Sequence, residues 1–187
     1  NALRQKQQEQ GLDTRVLACS DSRVHGLIPT TQSIGVDDIY GKGLDHSSVR
    51  NHTYTKLAHV AKVLAYAKNN PDALLHIHDD YLLPFLPLVV NPSLLTVHSD
   101  YGTFWHTEQH PEIMSFGNLI AISQSHRREL EAHELRVKEV VYNGLEPSVF
   151  PFVNEKEDYL FSLSAITPHK GQHLALEAAR SAGKSLI

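Results

Sequence analysis

The sequence predicts an α/β fold: a parallel sheet with helices on both faces, followed by an incomplete second unit of the same kind. Three observations point there. Short apolar runs of strand length alternate with longer segments of helical periodicity through nearly the whole chain, as in parallel strands joined by helical crossovers. Four of those runs end in polar residues or glycine, the composition of a sheet edge that binds ligand. A stretch rich in proline and charge, residues 146–158, breaks the alternation, which then restarts.

Residues 1–10 are helix formers and stop at Gly11, a residue suited to the left-handed turn that ends a helix. Residues 14–19 read as a short buried strand. The segment 20–48 is loop-rich, with a short strand near 32–34 at most. Ser48 can cap the next helix, in which Leu57, Val60, Ala61, Leu64 and Ala65 recur at helical spacing until Asn69, Asn70 and Pro71. Residues 73–78 form a strand, 84–90 a helix, and 94–98 and 119–123 two more strands. A helix over 124–133 and a strand over 137–142 complete the first domain. The second domain begins with a strand at 159–163, a helix at 170–182 and a strand at 184–187. The expected division is thus 1–145, a linker at 146–158, and 159–187. With no methionine at position 1 and a second unit that stops early, the chain reads as part of a longer polypeptide.

Composition narrows the class. A net charge of −4 with neutral histidines gives no broad basic field for nucleic acid. Cys19 is the one cysteine, so no disulfide can form within the chain, and a reducing cytoplasmic setting fits, at the membrane periphery if anywhere near lipid. The longest apolar run, residues 81–90, contains two prolines and is well short of the ~20 residues a spanning helix needs.

Chemistry is expected at the carboxyl ends of the strands. These carry His78, Asp79 and Asp80, then His98, Ser99 and Asp100, then Ser123 and Gln124, then Asn143 and Gly144. Ser123 stands where a helix cap is needed and is read as one, whereas a histidine has no merit as a cap, so His98 is read as functional. His76 and His78 share one strand face. With Asp79, His98, His106 and His110 they make a hydrolytic metal site conceivable, the minority reading because ligands at fixed spacing are missing. Gly183-Lys184-Ser185 resembles the tail of a phosphate loop, but Ala178 occupies its first glycine position and no strand precedes it. Gly41-Lys42-Gly43 is equally weak. Pro168-His169-Lys170-Gly171 is stronger: it follows a strand, opens a helix and sets a cation where a diphosphate would meet free backbone N–H groups.

Taken in order, His76-Ile77-His78-Asp79, Thr96-Val97-His98-Ser99, Ile120 to Ser123 with Arg127 and Arg128, Val141-Tyr142-Asn143-Gly144 with Phe150 and Pro151, and Pro168-His169-Lys170-Gly171 resemble the landmarks of retaining glycosyltransferases of family 4. The resemblance implies a GT-B fold of two Rossmann-like domains, with the acceptor on the first and a nucleotide-sugar donor on the second. It implies transfer with retention of configuration, as in carbohydrate biosynthesis, and no cofactor or catalytic metal beyond the donor itself. His98 and Lys170 would be the catalytic pair, the lysine holding the donor diphosphate and stabilising the leaving nucleotide. Lys170, Gly171, Asn143 and Gly144 would hold the donor; His78, Asp79, Asp80, Ser99 and Trp105 would meet the acceptor, a glycan, a lipid or a small molecule. The family's Gly-Arg before the lysine is replaced by Ser164-Ala165, which removes one of two cations. A chain without its opening glycine-rich loop and its donor-site glutamates is expected not to turn over alone. The alternative is a non-catalytic binding module, and the unfinished second domain leaves room for pairing with a second copy.

Overall fold

The computed structural model describes residues 2–32, 46–99, 115–164, 166 and 170–187. It divides into two compact units, Asn1–Leu145 and Glu146–Ile187.

In the first unit, helix α1 (Ala2–Glu9) leads into β1 (Val16–Ala18), which pairs in parallel with β2 (Leu27–Pro29). The second strand therefore lies before the expected 32–34; residues 33 and 34 fall outside the described residues. Gly26 makes the earlier return possible. Its φ is +71°, a conformation that strains any other residue, and a Cβ there would also stand 2.8 Å from Arg4 Nη2 and require that guanidinium to shift. Pro29 is tolerated in β2 because the ladder runs through Ala18 and Thr30, Thr30 N donating to Ala18 O at 2.9 Å. The N–H that proline lacks would point away from β1.

Helix α2 (His46–Asn69) starts two residues before Ser48, the expected cap. Its inward stripe is Val60, Val63, Leu64 and Ala67, an i, i+3, i+4, i+7 set. Leu57 is exposed, as are Ala61 and Ala65, so the buried face is rotated from the one read in the sequence. Strands β3 (Leu75–Ile77), β4 (Ser93–Thr96), β5 (Leu119–Ala121) and β6 (Val137–Val140) follow, all parallel, in the spatial order 3-4-5-6. Between β3 and β4 the expected helix at 84–90 is instead a 3-10 helix, Asp80–Leu88. Asp79 caps it, accepting from Tyr81 N, and Pro84 and Pro87 withhold the donors an α-helix would use. Helix α3 (Gln124–Ala132) joins β5 to β6.

Apolar residues from every one of these layers meet in one core: Val60 and Ala67, Leu82 and Leu83, Leu95 and Val97, Leu119 and Ala121, Leu130 and Val137. Asn91 fastens its lower edge. The buried side-chain amide reaches the carbonyls of Asn70, Pro71 and Ala73 at 2.8, 3.3 and 3.0 Å, tying the end of α2 to the entry of β4.

The second unit holds β7 (Tyr159–Leu160), α4 (Gln172–Ala182) and β8 (Ser185–Leu186), with β7 and β8 parallel. Both strands are shorter than the sequence suggested. Among the described residues Ala179 is the buried apolar side chain of this unit.

Candidate functional site

The carboxyl edge of the four-stranded sheet gathers an imidazole cluster. His76 lies within β3, His78 just after it, and His98 two residues after β4. Parallel pairing of β3 and β4 sets His76 beside Leu94, so the two exits emerge at the same level. His78 Nδ1 and His98 Nε2 lie 3.0 Å apart and share one proton. Their rings stack at 5.3 Å, and the His76 and His78 rings are 4.3 Å apart. His76 Nε2 also hydrogen-bonds Thr96 Oγ1 at 2.9 Å. The shared strand face read for His76 and His78 is the one observed.

Partial loss of water, with proximity to the neighbouring rings, favours the neutral forms of His76 and His78. His78 is pushed down to about 4, first by loss of water around the ring and then by His76 and His98. His76 is lowered by burial and then by His98. His76 and His78 thus resist taking up a positive charge as the pH falls, and a ring-to-ring hydrogen bond joins His78 to His98. Among the described residues no group of three or more His, Cys, Asp or Glu is arranged to hold a metal ion; His106 and His110 lie outside those residues.

Asp79 is already engaged. Its Oδ2 lies 2.6 Å from Lys56 Nζ and its Oδ1 accepts from Tyr81 N. Lys56 also sits 5.4 Å from the centre of the Tyr81 ring. Asp80 opens the 3-10 helix, and with His78, His98 and Ser99 it lines a cleft of about 40 Å³ at the strand ends. Ser99 offers its carbonyl to His126 Nε2 at 3.0 Å. Because Ile122 N donates to the other ring nitrogen of His126, Nε2 carries the proton. Ser123 is a helix cap, accepting from His126 N at 3.0 Å. Asn143 and Gly144 follow β6 as exposed, irregular chain. Trp105 and Asp100 lie outside the described residues.

In the second unit, Lys170 is exposed and precedes α4 instead of lying in it. The helix starts at Gln172 because Gly171 takes a left-handed conformation, φ +72°, and offers no side-chain cap. Gln172 donates to Ser164 Oγ, joining the loop after β7 to the first turn of the helix. Ala165 and residues 167–169 lie outside the described set. Gly183 is the left-handed stop of α4, and Lys184 pairs with Asp158, so the Gly183-Lys184-Ser185 run serves a helix end.

Several polar residues near the edge carried no sequence motif. Thr30 gives its proton to Ala18 O at 3.0 Å, so His59 Nδ1, 2.7 Å away, must donate to the Thr30 oxygen. His59 is lowered by burial, against a raising influence of Asp79. The available signal was spacing: His52, Lys56, His59, Val63 and Tyr66 fall on one face of α2. These five residues border a groove of about 840 Å³ that also takes in residues 14–19 and 73–79.

No helix among the described residues is long and apolar enough to cross a membrane. Comparison with known proteins returns no matching family model, no curated relative and no matching solved structure.

Proposed function

We propose that this chain forms part of a retaining, nucleotide-sugar-dependent glycosyltransferase, with the His78–His98 pair at the sugar-binding edge. The observation that supports this is the pairing itself: two histidines from successive strand exits, 3.0 Å apart, where open parallel sheets bind ligands. Neutral imidazoles can accept and donate hydrogen bonds to sugar hydroxyls, and a shared proton can shift as a hydroxyl is activated. Lys170, exposed ahead of a helix start with no side-chain cap, suits a diphosphate. The acceptor edge and the lysine belong to separate units, and each is assigned its role independently. In this reading His78, Ser99 and Asp80 meet the acceptor, while Asp79 holds Lys56 and the following turn in place.

The test is titration of the chain with uridine and guanosine diphosphate sugars and with simple saccharides, following histidine ring nitrogens by NMR. Saccharides should shift the His78 and His98 signals, and His98→Ala should abolish the response. Diphosphate sugars should broaden signals near Lys170, an effect lost in Lys170→Ala. An unchanged histidine spectrum at millimolar saccharide removes the acceptor assignment. Unchanged signals around Lys170 remove the donor assignment.

A further inference from the structure

The groove beside β3 has a feature that an ordinary ligand pocket lacks. It is lined by residues 14–19 and by residues 73–79, in each case consecutively. A strand seen from its face shows every second side chain, because successive side chains alternate. A strand whose consecutive residues all border one space is presenting its edge. Two strand edges, one on β1 and one on β3, therefore look into the same groove.

The ladder registers say which backbone groups those edges expose. Val16 N donates to Gly26 O and Thr30 N to Ala18 O, so Val16 and Ala18 face β2. Parallel pairing uses alternate residues, which turns the N–H groups of Leu17 and Cys19 to the opposite side. On β3, Leu75 N donates to Pro92 O, so Leu75 and Ile77 face β4. Leu74, His76 and His78 then face away from it. Among the described residues neither outer edge has a paired strand.

The two edges also point the same way. Thr30, just past β2, bonds His59, and Asp79, just past β3, bonds Lys56. Lys56 and His59 are neighbours one turn apart on α2, so both sheets bring their carboxyl ends to one level of the same helix.

We propose that this groove receives an extended polypeptide segment as an additional parallel strand between β1 and β3. The strand would stand about 4.8 Å from each edge. It would continue the existing β3-β4-β5-β6 ladder and join it to β1–β2 as one sheet. Leu3 and Leu12, 51% and 55% exposed, with Val63 and Leu82, border the same space and supply apolar cover. A strand paired on both sides and covered in this way calls for a run of Val and Ile, about five residues long. Such an occupant satisfies both rows of backbone groups at once, which a small apolar ligand cannot do.

The probe is a lysine-flanked Val/Ile pentapeptide, with a copy N-methylated at alternate positions as control, added to the full chain. Amide exchange is read residue by residue. In the free protein, the amides of Leu17, Cys19 and His76 should exchange at least tenfold faster than those of Val16 and Ile77. The peptide should slow those three at least tenfold, and the methylated copy should not. Equal protection in the free chain, equal effects of both peptides, or no binding at millimolar peptide would each overturn the proposal. The readout lies in backbone amides of β1 and β3, so it is distinct from the histidine ring shifts that test the transferase reading.

Discussion

His78 sits between two other imidazoles, and its crowding makes folding sensitive to acid. Its folded value, about 4, lies below the ordinary histidine range, and His76 and His59 are lowered too. The unfolded chain therefore binds these protons first. The stabilising contribution is complete above about pH 6.5 and is lost as pH falls from there toward 4. Urea midpoints should accordingly drop between pH 7 and pH 4. His78→Asn should flatten that slope, and an unchanged slope would show that the cluster does not carry it. Asn91 offers a second single-residue test. Asn91→Ala removes a buried side-chain amide that serves three part-buried carbonyls and is expected to cost about 1–3 kcal/mol in denaturant unfolding. The position of His98 at a strand exit was legible from the apolar run that ends there. Its partner His78 could be named but its contact could not, because the pairing depends on the β3–β4 register.

Among the elements, helix α3 shows how end chemistry sets stability. Ser123 satisfies an N–H at its start, and Ser123→Ala should destabilise the protein by about 1 kcal/mol. At its other end Glu134 is forced to φ +63°, with Leu135 N bonded back to Leu130 O. Glu134→Gly relieves that left-handed strain and should raise the thermal midpoint, by the equivalent of about 1 kcal/mol. A lower midpoint would mean the glutamate side chain does something else. Most strand positions were readable because apolar runs bounded by turn residues leave few options. The misread elements have specific physical causes. Two prolines converted the expected α-helix at 84–90 into a 3-10 helix with an earlier start. Gly171 delayed α4 by two residues and put Lys170 ahead of it. The short β2 was missed because a three-residue strand with a terminal proline has almost no periodicity to detect. The polar face of α2 was hidden by its apolar one: a stripe search ranks Val60 and Leu64 and passes over Lys56 and His59, whose partners come from distant parts of the chain.

At the scale of the whole molecule, burial is concentrated in one place. The core cluster draws all its members from residues 60–140, while among the described residues of the second unit Ala179 alone is a buried apolar side chain. Amides of β7 and β8 should therefore exchange at least a hundredfold faster than those of β4 and β5, since local stability follows buried contacts. Comparable protection would show that the second unit has support not visible in its own packing. The alternation of strand and helix was legible at this scale, yet the separation of β1–β2 from the main sheet was not, because long-range strand neighbours leave no trace in local periodicity. The exposed apolar side chains of the second unit, among them Phe152, Phe161, Leu163 and Ile166 at 66–92% exposure, also bear on how the protein behaves as a solute. A surface so oily favours dye uptake, adsorption to glass and plastic, and reversible clustering that grows with concentration and recedes in the cold.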